Sequence, residues 1–516
     1  MTVFQPTWES LRAHRIPEWF GAAKFGIWSH WGPQSVARSG DWYARHLYGM
    51  QPWSEPWERT RAGRQHAHHR AHFGASSDKG TKDLFHRWRA ERFDPDELID
   101  LYAASGARYF VALAAHCDNF DLWDSPGHDW NAVRVGPRRD IVGAWERAAR
   151  AAGLPFGLSF HQNWTWRWLD VAHGTDPETG EPYDGALTKA DGAGTWWEGL
   201  DPATLYPPRH EPGARPPAYV AEHFYARVRA ALDRYRPDLV YLDDSRLPFG
   251  EGSVVESEPA STGGLDLLAH YYNTCPSGGL VTVKQVPDAD RTAVVLDCER
   301  RQLDAAEAHP WQFDTSDGEW FDCGDDDPMF HPRKSAQQVI HTLIDVVSKN
   351  GTLLLNVPQH ADGTVDARAR ELLAGVGDWL RVCGEGVYDT TPWVRAGEGA
   401  TGLGATKGYE GYNEAERAYR PGDIRFTRRG DALYATLLAW PERGGAERGG
   451  AESGGAESGG AVITSLGTAA GLLERRPAAV ELLGHGPVGW RLAPEALYAE
   501  LPPEPPTKAA YMIKIT

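Results

Sequence analysis

Along most of the chain, short apolar runs alternate with longer stretches in which apolar residues recur every three or four positions. The runs are Lys24–Trp28, Tyr109–Leu113, Phe156–Phe160, Leu239–Leu242, Leu280–Val283, Ala293–Leu296 and Thr352–Val357. They are continuous rather than alternating, as strands buried on both faces of a parallel sheet are. Pro95–Ala104, Ile141–Ala152 and Ala218–Leu232 lie between them and read as helices. Strand and helix in turn imply βα units. Seven or eight such units over about 380 residues predict an α/β fold of the (β/α)8-barrel type, because an open doubly wound sheet would more often carry a glycine-rich phosphate turn after its first strand. No such turn is visible in the sequence.

Beyond Trp393 the pattern changes. Asp423–Thr427, Ala432–Trp440, Ala461–Thr464 and Met512–Thr516 are strand-like and separated by Gly/Pro turns, which predicts a C-terminal antiparallel β-sandwich. The expected domains are therefore residues 1–393 and 394–516. The Gly-Gly-Ala-Glu repeats that start at Gly444, Gly449 and Gly454 are too polar and glycine-rich to pack, so residues 444–460 are expected to form a flexible hairpin loop. The sandwich is expected to brace the barrel.

The residues at which the runs end carry the chemistry. His30, His116 with Cys117, His161, Asp243 with Asp244, Lys284 and Glu299 follow successive runs, and the carboxyl ends of barrel strands form the active face of such folds. Two carboxylates brought to one mouth are what cleavage of a glycosidic bond requires. The chain also holds 22 tryptophans, many in loop-like segments such as Asn163–Trp168 and Gly194–Glu198. Indole faces suit the C–H faces of a sugar ring, although any one of them can equally fill a core.

Charge and composition narrow the partners. The formal charge is −18 with pI about 5.6 and no lysine-rich tract, which argues against nucleic acid or an anionic membrane and for a neutral small molecule. Five cysteines without CxxC spacing indicate neither a disulfide framework nor a zinc knuckle. No basic-then-apolar leader and no run of 18 apolar residues is visible, so a cytoplasmic location is the expectation. The histidines of Gln65–His72 are read as a polar helix face rather than a zinc site, and Asp322–Asp327 as a solvated loop rather than a calcium site. Neither a metal nor a cofactor is expected. The insertion Thr175–Pro217 is expected to lie over the barrel mouth and shape a leaving-group site.

Several strings then resemble one family. Trp19–Gly32 followed by Asp41-Trp42-Tyr43, Ala114–Ser125 with Asp129–Asp140, Arg236–Asp243, and Asn350–Val357 with Ala361–Thr364 are similar, in order from about residue 17 to residue 393, to the retaining α-L-fucosidases of glycoside hydrolase family 29. The resemblance implies an exo-acting enzyme that releases terminal α-L-fucose, or a closely related L-sugar, from a fucosylated oligosaccharide or glycoside by double displacement. It implies Asp243 as nucleophile, with Asp244 in place of the usual glycine. It implies Glu299 as acid/base, from its strand-end position and from lying about a dozen residues before Trp311-Gln312, where the family has Trp-Glu; Glu307 and Glu319 are the alternatives. His30, Asp41, Trp42, His116, Cys117, His161, Lys284 and Trp320 become candidate sugar-binding residues. Asp41 replaces a common glutamate, Cys117 a common second histidine, and Lys284 lies near a usual arginine, so contacts to the glycone differ. On this reading Glu299 should sit in a less polar place or beside the ionised Asp243, and Asp243 should accept hydrogen bonds from a histidine or Lys284. A catalytically silent sugar-binding protein and a metal-dependent barrel hydrolase are the other readings; oligomeric state is open.

Overall fold

The computed structural model describes residues 3–49, 60–324, 332–401, 418–441 and 460–516. Eight parallel strands, β1 (Phe25–Ser29), β2 (Phe110–Ala115), β3 (Phe156–Phe160), β4 (Leu239–Leu242), β5 (Leu280–Val283), β6 (Val295–Asp297), β7 (Trp311–Ser316) and β8 (Gly351–Asn356), pair in sequence order and close into a barrel. The closing pair is β1 with β8, Ile27 opposite Leu355. Every residue of these strands is buried, because helices cover the outside and side chains fill the inside.

The helices start where the chain supplies caps. Asp94 accepts from the N–H groups of Asp96 and Glu97 at the head of Pro95–Ala104, and Asp140 caps Ile141–Ala151 in the same way. Ala218–Tyr235 ends at Arg236 in the left-handed region. Among the described residues no α-helix separates β5 from β6 or β6 from β7, so this side of the barrel departs from the regular βα alternation. The strand absent from the sequence pattern is β7. Its Gln312, Asp314 and Ser316 are polar yet fully buried, so no apolar run marks it.

The C-terminal unit is a sandwich of a six-stranded sheet, order β14-β13-β17-β11-β10-β9, and a three-stranded sheet, order β12-β16-β15. Its strands are β9 (Thr391–Glu398), β10 (Ile424–Arg429), β11 (Ala432–Leu437), β12 (Gly460–Ile463), β13 (Val480–Leu482), β14 (Gly486–Pro487), β15 (Trp490–Leu492), β16 (Leu497–Glu500) and β17 (Tyr511–Ile515). The boundary expected after Trp393 falls inside β9. Residues 444–459 of the expected glycine-rich loop lie outside the described residues; Gly460 opens β12.

Alternation along β10 shows how the sandwich meets the barrel. Ile424 and Phe426 point into the sandwich core, while Arg425 and Thr427 point at the barrel. Arg425 is fully buried and binds Asp345 of the helix Ala336–Ser348 at 2.7 Å, and Asp345 also holds Lys349 at 2.7 Å. Without Arg425 the buried Asp345 carboxylate keeps Lys349 alone to offset its charge in a poor solvent. The Arg425→Met variant should therefore lose about 3 kcal/mol of stability, read as a lower urea midpoint, since breaking such pairs typically costs that much. An unchanged midpoint would mean that the contact does not hold the two units together.

Candidate active site

A cavity of about 500 Å³ opens at the carboxyl ends of the barrel strands. Strand geometry puts the residue after each run there: His30 after β1, His116 and Cys117 after β2, His161 after β3, Asp243 after β4, Lys284 after β5, and Glu299 two residues beyond β6. The loop after β7 adds Glu319 and Trp320, and the loop after β1 adds Asp41 and Trp42. All ten residues expected at the site from the sequence line this one cavity.

Its centre is an ammonium between two carboxylates. Lys284 Nζ lies 2.6 Å from Asp243 Oδ1 and 2.5 Å from Glu299 Oε2. The two oxygens are thus no further apart than these bonds laid end to end, about 5.1 Å. Asp243 is further fixed on its other side, where His161 Nδ1 meets Oδ2 at 2.9 Å. Its backbone carbonyl accepts from Asn163 and from Trp164 Nε1, at 3.0 and 2.7 Å. Burial alone would push the Asp243 carboxyl up, but Lys284 and His161 hold it well below the usual carboxylate range. Burial opposes the charge of Lys284 too, but the facing carboxylates Asp243 and Glu299 keep its ammonium protonated. Glu299 is fixed by its neighbours' backbone: Cys298 N–H bonds Gln312 O and Arg300 N–H bonds Asp314 O, both on β7. Of the two environments anticipated for Glu299, the structure has the one beside Asp243; an apolar setting is not found.

Three imidazoles converge on the other wall. Their ligand atoms lie within 4.8 Å of one another, so His30, His116 and His161 could in geometric terms hold a cation as well as sugar hydroxyls. Burial, aided by the neighbouring rings, drives His30 and His116 well below the ordinary histidine value, which leaves each ring one donor and one acceptor near neutral pH. Gln34 bonds His116 Nδ1 at 2.8 Å and sets its orientation. Asp41 lies 3.7 Å from His116 Nε2 and is pushed up to about 7, by burial against the opposing pull of Arg61. The Cys117 thiol is pushed up by burial and by Asp243, so it stays protonated and is no nucleophile.

The histidine-rich segment has a use that the sequence reading did not give it. It forms the helix Arg61–His72, and Arg61 and Gln65 both donate to the backbone oxygen of Asp41, at 2.9 and 3.0 Å. His66, His68 and His69 bond the carbonyls of Leu47, Ala37 and Lys79; the first and last are buried, so the face is a packed staple rather than a solvated one. This helix braces the Asp41-Trp42 turn, in which Trp42 takes the left-handed conformation (φ 64°) and presents an indole that is 41% exposed at the lip.

Other expectations need correction. Asp244 needs none: as the alternation of strand side chains implies, it points away from the cavity, where it accepts from Asn163, Ser253 Oγ and the Val254 N–H and ties down the loop behind β4. Glu307 bonds Lys349 O, ahead of β8 and at the opposite end of the barrel, which removes it as an acid/base alternative. Glu319 lines the cavity but is paired with Arg61 at 2.7 Å. No residue of Thr175–Pro217 lines the cavity; the segment instead packs beside it, with buried Asp184 bound to Lys82, Tyr48 and Tyr206. Asp322 binds Arg38 and His360, while residues 325–327 of the acidic run lie outside the described residues. Arg61, Tyr241 and Asp314 also line the cavity and Gln34 orients His116 from beside it; no motif marks them in the sequence, and Tyr241 and Asp314 are inward strand residues.

Comparison with known proteins agrees with this geometry. The family model described as Alpha-L-fucosidase matches residues 1–385. The tissue alpha-L-fucosidase of Bos taurus is 27% identical over 453 residues, covering 86% of this chain and 79% of the relative. The crystal structure of Thermotoga maritima alpha-fucosidase in complex with a mechanism-based inhibitor superposes with a TM-score of 0.70 at 25% identity, covering 99% of both chains. The same enzyme in complex with fucose gives 0.68 at 25% identity, covering 99% of this chain and 100% of that one.

Lys284→Met should raise Asp243 into or above the ordinary carboxylate range, because the cation that opposes its burial is gone. Activity that needs ionised Asp243 should then fall at acid pH. The acid limb of kcat/KM for an aryl α-L-fucoside should move to higher pH, with kcat down about 10²- to 10³-fold, the usual loss for one preorganised electrostatic group. An acid limb identical to wild type would show that Lys284 does not set the charge of Asp243.

Proposed function

This chain belongs to the alpha-L-fucosidase family, and from that premise we propose that it is an exo-acting retaining glycosidase that releases terminal α-L-fucose, with Asp243 as nucleophile and Glu299 as acid/base. The observation that carries the reading is the carboxyl pair held on one ammonium, at most about 5.1 Å apart. Retaining sites place their carboxyls about 5 to 5.5 Å apart, whereas inverting sites leave about 6.5 to 9.5 Å for a water.

In the first step the ionised Asp243 attacks the anomeric carbon as Glu299 gives its proton to the departing glycosidic oxygen, so that the aglycone leaves as a neutral alcohol and a fucosyl ester forms. In the second, water loses a proton to Glu299 and attacks the same carbon, and the ester bond breaks to restore ionised Asp243. One negative charge therefore moves from Asp243 to Glu299 and back. Lys284 touches both carboxylates and faces that charge at either position, without moving. While Asp243 is ionised, its charge favours a proton on Glu299. Once Asp243 is esterified, only the ammonium remains to act on Glu299, and it favours the carboxylate needed for a base.

The neutral rings of His30 and His116, with His161 and Asp41, present donors and acceptors suited to sugar hydroxyls, and Trp320 and Trp42 supply flat apolar surface. His161 is engaged through Nδ1 with the nucleophile, which leaves its Nε2, together with both ring nitrogens of His30, to meet sugar hydroxyls.

Release of 4-nitrophenol from its α-L-fucoside tests the assignment. Asp243→Ala should lose about 10³-fold or more, and azide should restore turnover as β-L-fucosyl azide, the inverted product, by attack on the vacated face. Glu299→Ala should slow substrates with poor leaving groups by about 10²- to 10⁴-fold and the aryl fucoside far less in the first step, with azide yielding α-L-fucosyl azide. Equal losses on both substrate classes would move the acid/base role to Glu319.

A further inference from the structure

The interior of a parallel barrel is normally filled with branched apolar side chains, yet beneath Lys284 this one holds two carboxyls. Asp297 of β6 and Asp314 of β7 are at most 1% exposed. Both Oδ2 atoms lie 3.2 Å from the same Tyr241 hydroxyl oxygen, and Gln312 Nε2 donates to Asp297 Oδ1 at 2.8 Å. A phenol has one proton and can donate to only one of the two oxygens. The other contact is attractive if that carboxyl carries its own proton and donates to the phenol oxygen. Two ionised carboxylates so close in a buried site would repel without a cation between them, and Lys284, the cation that faces them, is already engaged by Asp243 and Glu299.

We propose that Asp297 and Asp314 form a proton-sharing pair whose remaining charge, acting from the barrel interior, helps to keep the proton on Glu299 and so positions the acid for bond cleavage. Asp297 stands two residues before Glu299, on the same strand exit, and Asp314 lines the floor of the cavity. Burial pushes both up, Asp297 to about 7; repulsion from Glu299 adds to both, and repulsion from Asp297 also raises Asp314. Any charge on the pair acts on the Glu299 carboxyl, which leaves the same strand exit two residues after Asp297. The titratable groups facing the pair are Tyr241 of β4, Lys284 after β5, Cys298 and Glu299 after β6, and Tyr109 ahead of β2, with Asp243 beyond Tyr241 and Lys284. The two residues act through Glu299 and Lys284 and are positioning residues.

The inference rests on Glu299 being the acid, so the test has one arm that does not need activity. In wild-type protein labelled with ¹³C at aspartate carboxyls, two buried resonances should keep at least one proton between them at pH 7 and respond to Asp314→Asn. Two resonances that both titrate as ordinary carboxylates below pH 5 would overturn the proposal, whatever becomes of Glu299. In the second arm, the double variant Asp297→Asn/Asp314→Asn should move the basic limb of kcat/KM for 4-nitrophenyl α-L-fucoside to lower pH, by about half a unit to one unit, because the pair's one charge is removed, whereas either single variant leaves one ionisable carboxyl in place. A folded double variant with lower kcat but an unmoved basic limb would make the pair a structural element only.

Discussion

The structure depends on one electrostatic constraint: a carboxylate in this buried cleft holds its charge only beside a cation, and two carboxyls share the one cation there. Lys284 meets that constraint with bonds of 2.6 and 2.5 Å to Asp243 and Glu299. Its charge is compact and carries three donors, so one ammonium can serve two carboxylates at once. On the proposed mechanism the same constraint becomes an advantage, since the cation stays put while the negative charge changes sides.

The scaffold supplies the required rigidity. Asp243, Lys284 and Glu299 come from three adjacent strands, and ladder bonds fix their spacing before any side chain acts. A second layer then orients them: His161 on Asp243, Asn163 and Trp164 on the Asp243 carbonyl, and Asp244 on the loop behind. The helix Arg61–His72 does the same for Asp41 from outside the barrel. Polar groups inside the barrel, Tyr241, Gln312, Asp297 and Asp314 among them, break the apolar rule for such interiors, and they do so directly under the chemistry. The C-terminal sandwich stays away from the cavity and binds the barrel through Arg425 and Asp345.

How far the sequence could be read follows from what each residue must signal. Strands with apolar side chains on both faces are visible as runs, so seven of the eight are legible to within two residues at either end, and β7 is not, because Gln312, Asp314 and Ser316 are polar and buried. Strand exits marked by titratable residues gave the cavity wall, because a parallel barrel delivers all its exits to one end. Separation in space was not legible. Nothing in the spacing of Lys284 and Glu299 announces that one ammonium touches both carboxylates, or that Glu307 lies at the far end while Glu319 lies inside. The Gln65–His72 segment is legible as a polar helix face, but not the burial of His66 and His69 against carbonyls of other segments, which periodicity alone does not reveal.

The central claim is that Asp243 becomes covalently joined to the sugar while Lys284 keeps it poised between two partners. Incubating the enzyme with a 2-deoxy-2-fluoro-L-fucosyl fluoride, which slows the second step, and mapping the labelled peptide by mass spectrometry tests it most directly. The account predicts a single fluorofucosyl adduct on the Asp243 side chain, accumulating further when Glu299 is changed to Gln. An adduct on another residue, or turnover of the reagent with no adduct at any time, would contradict it.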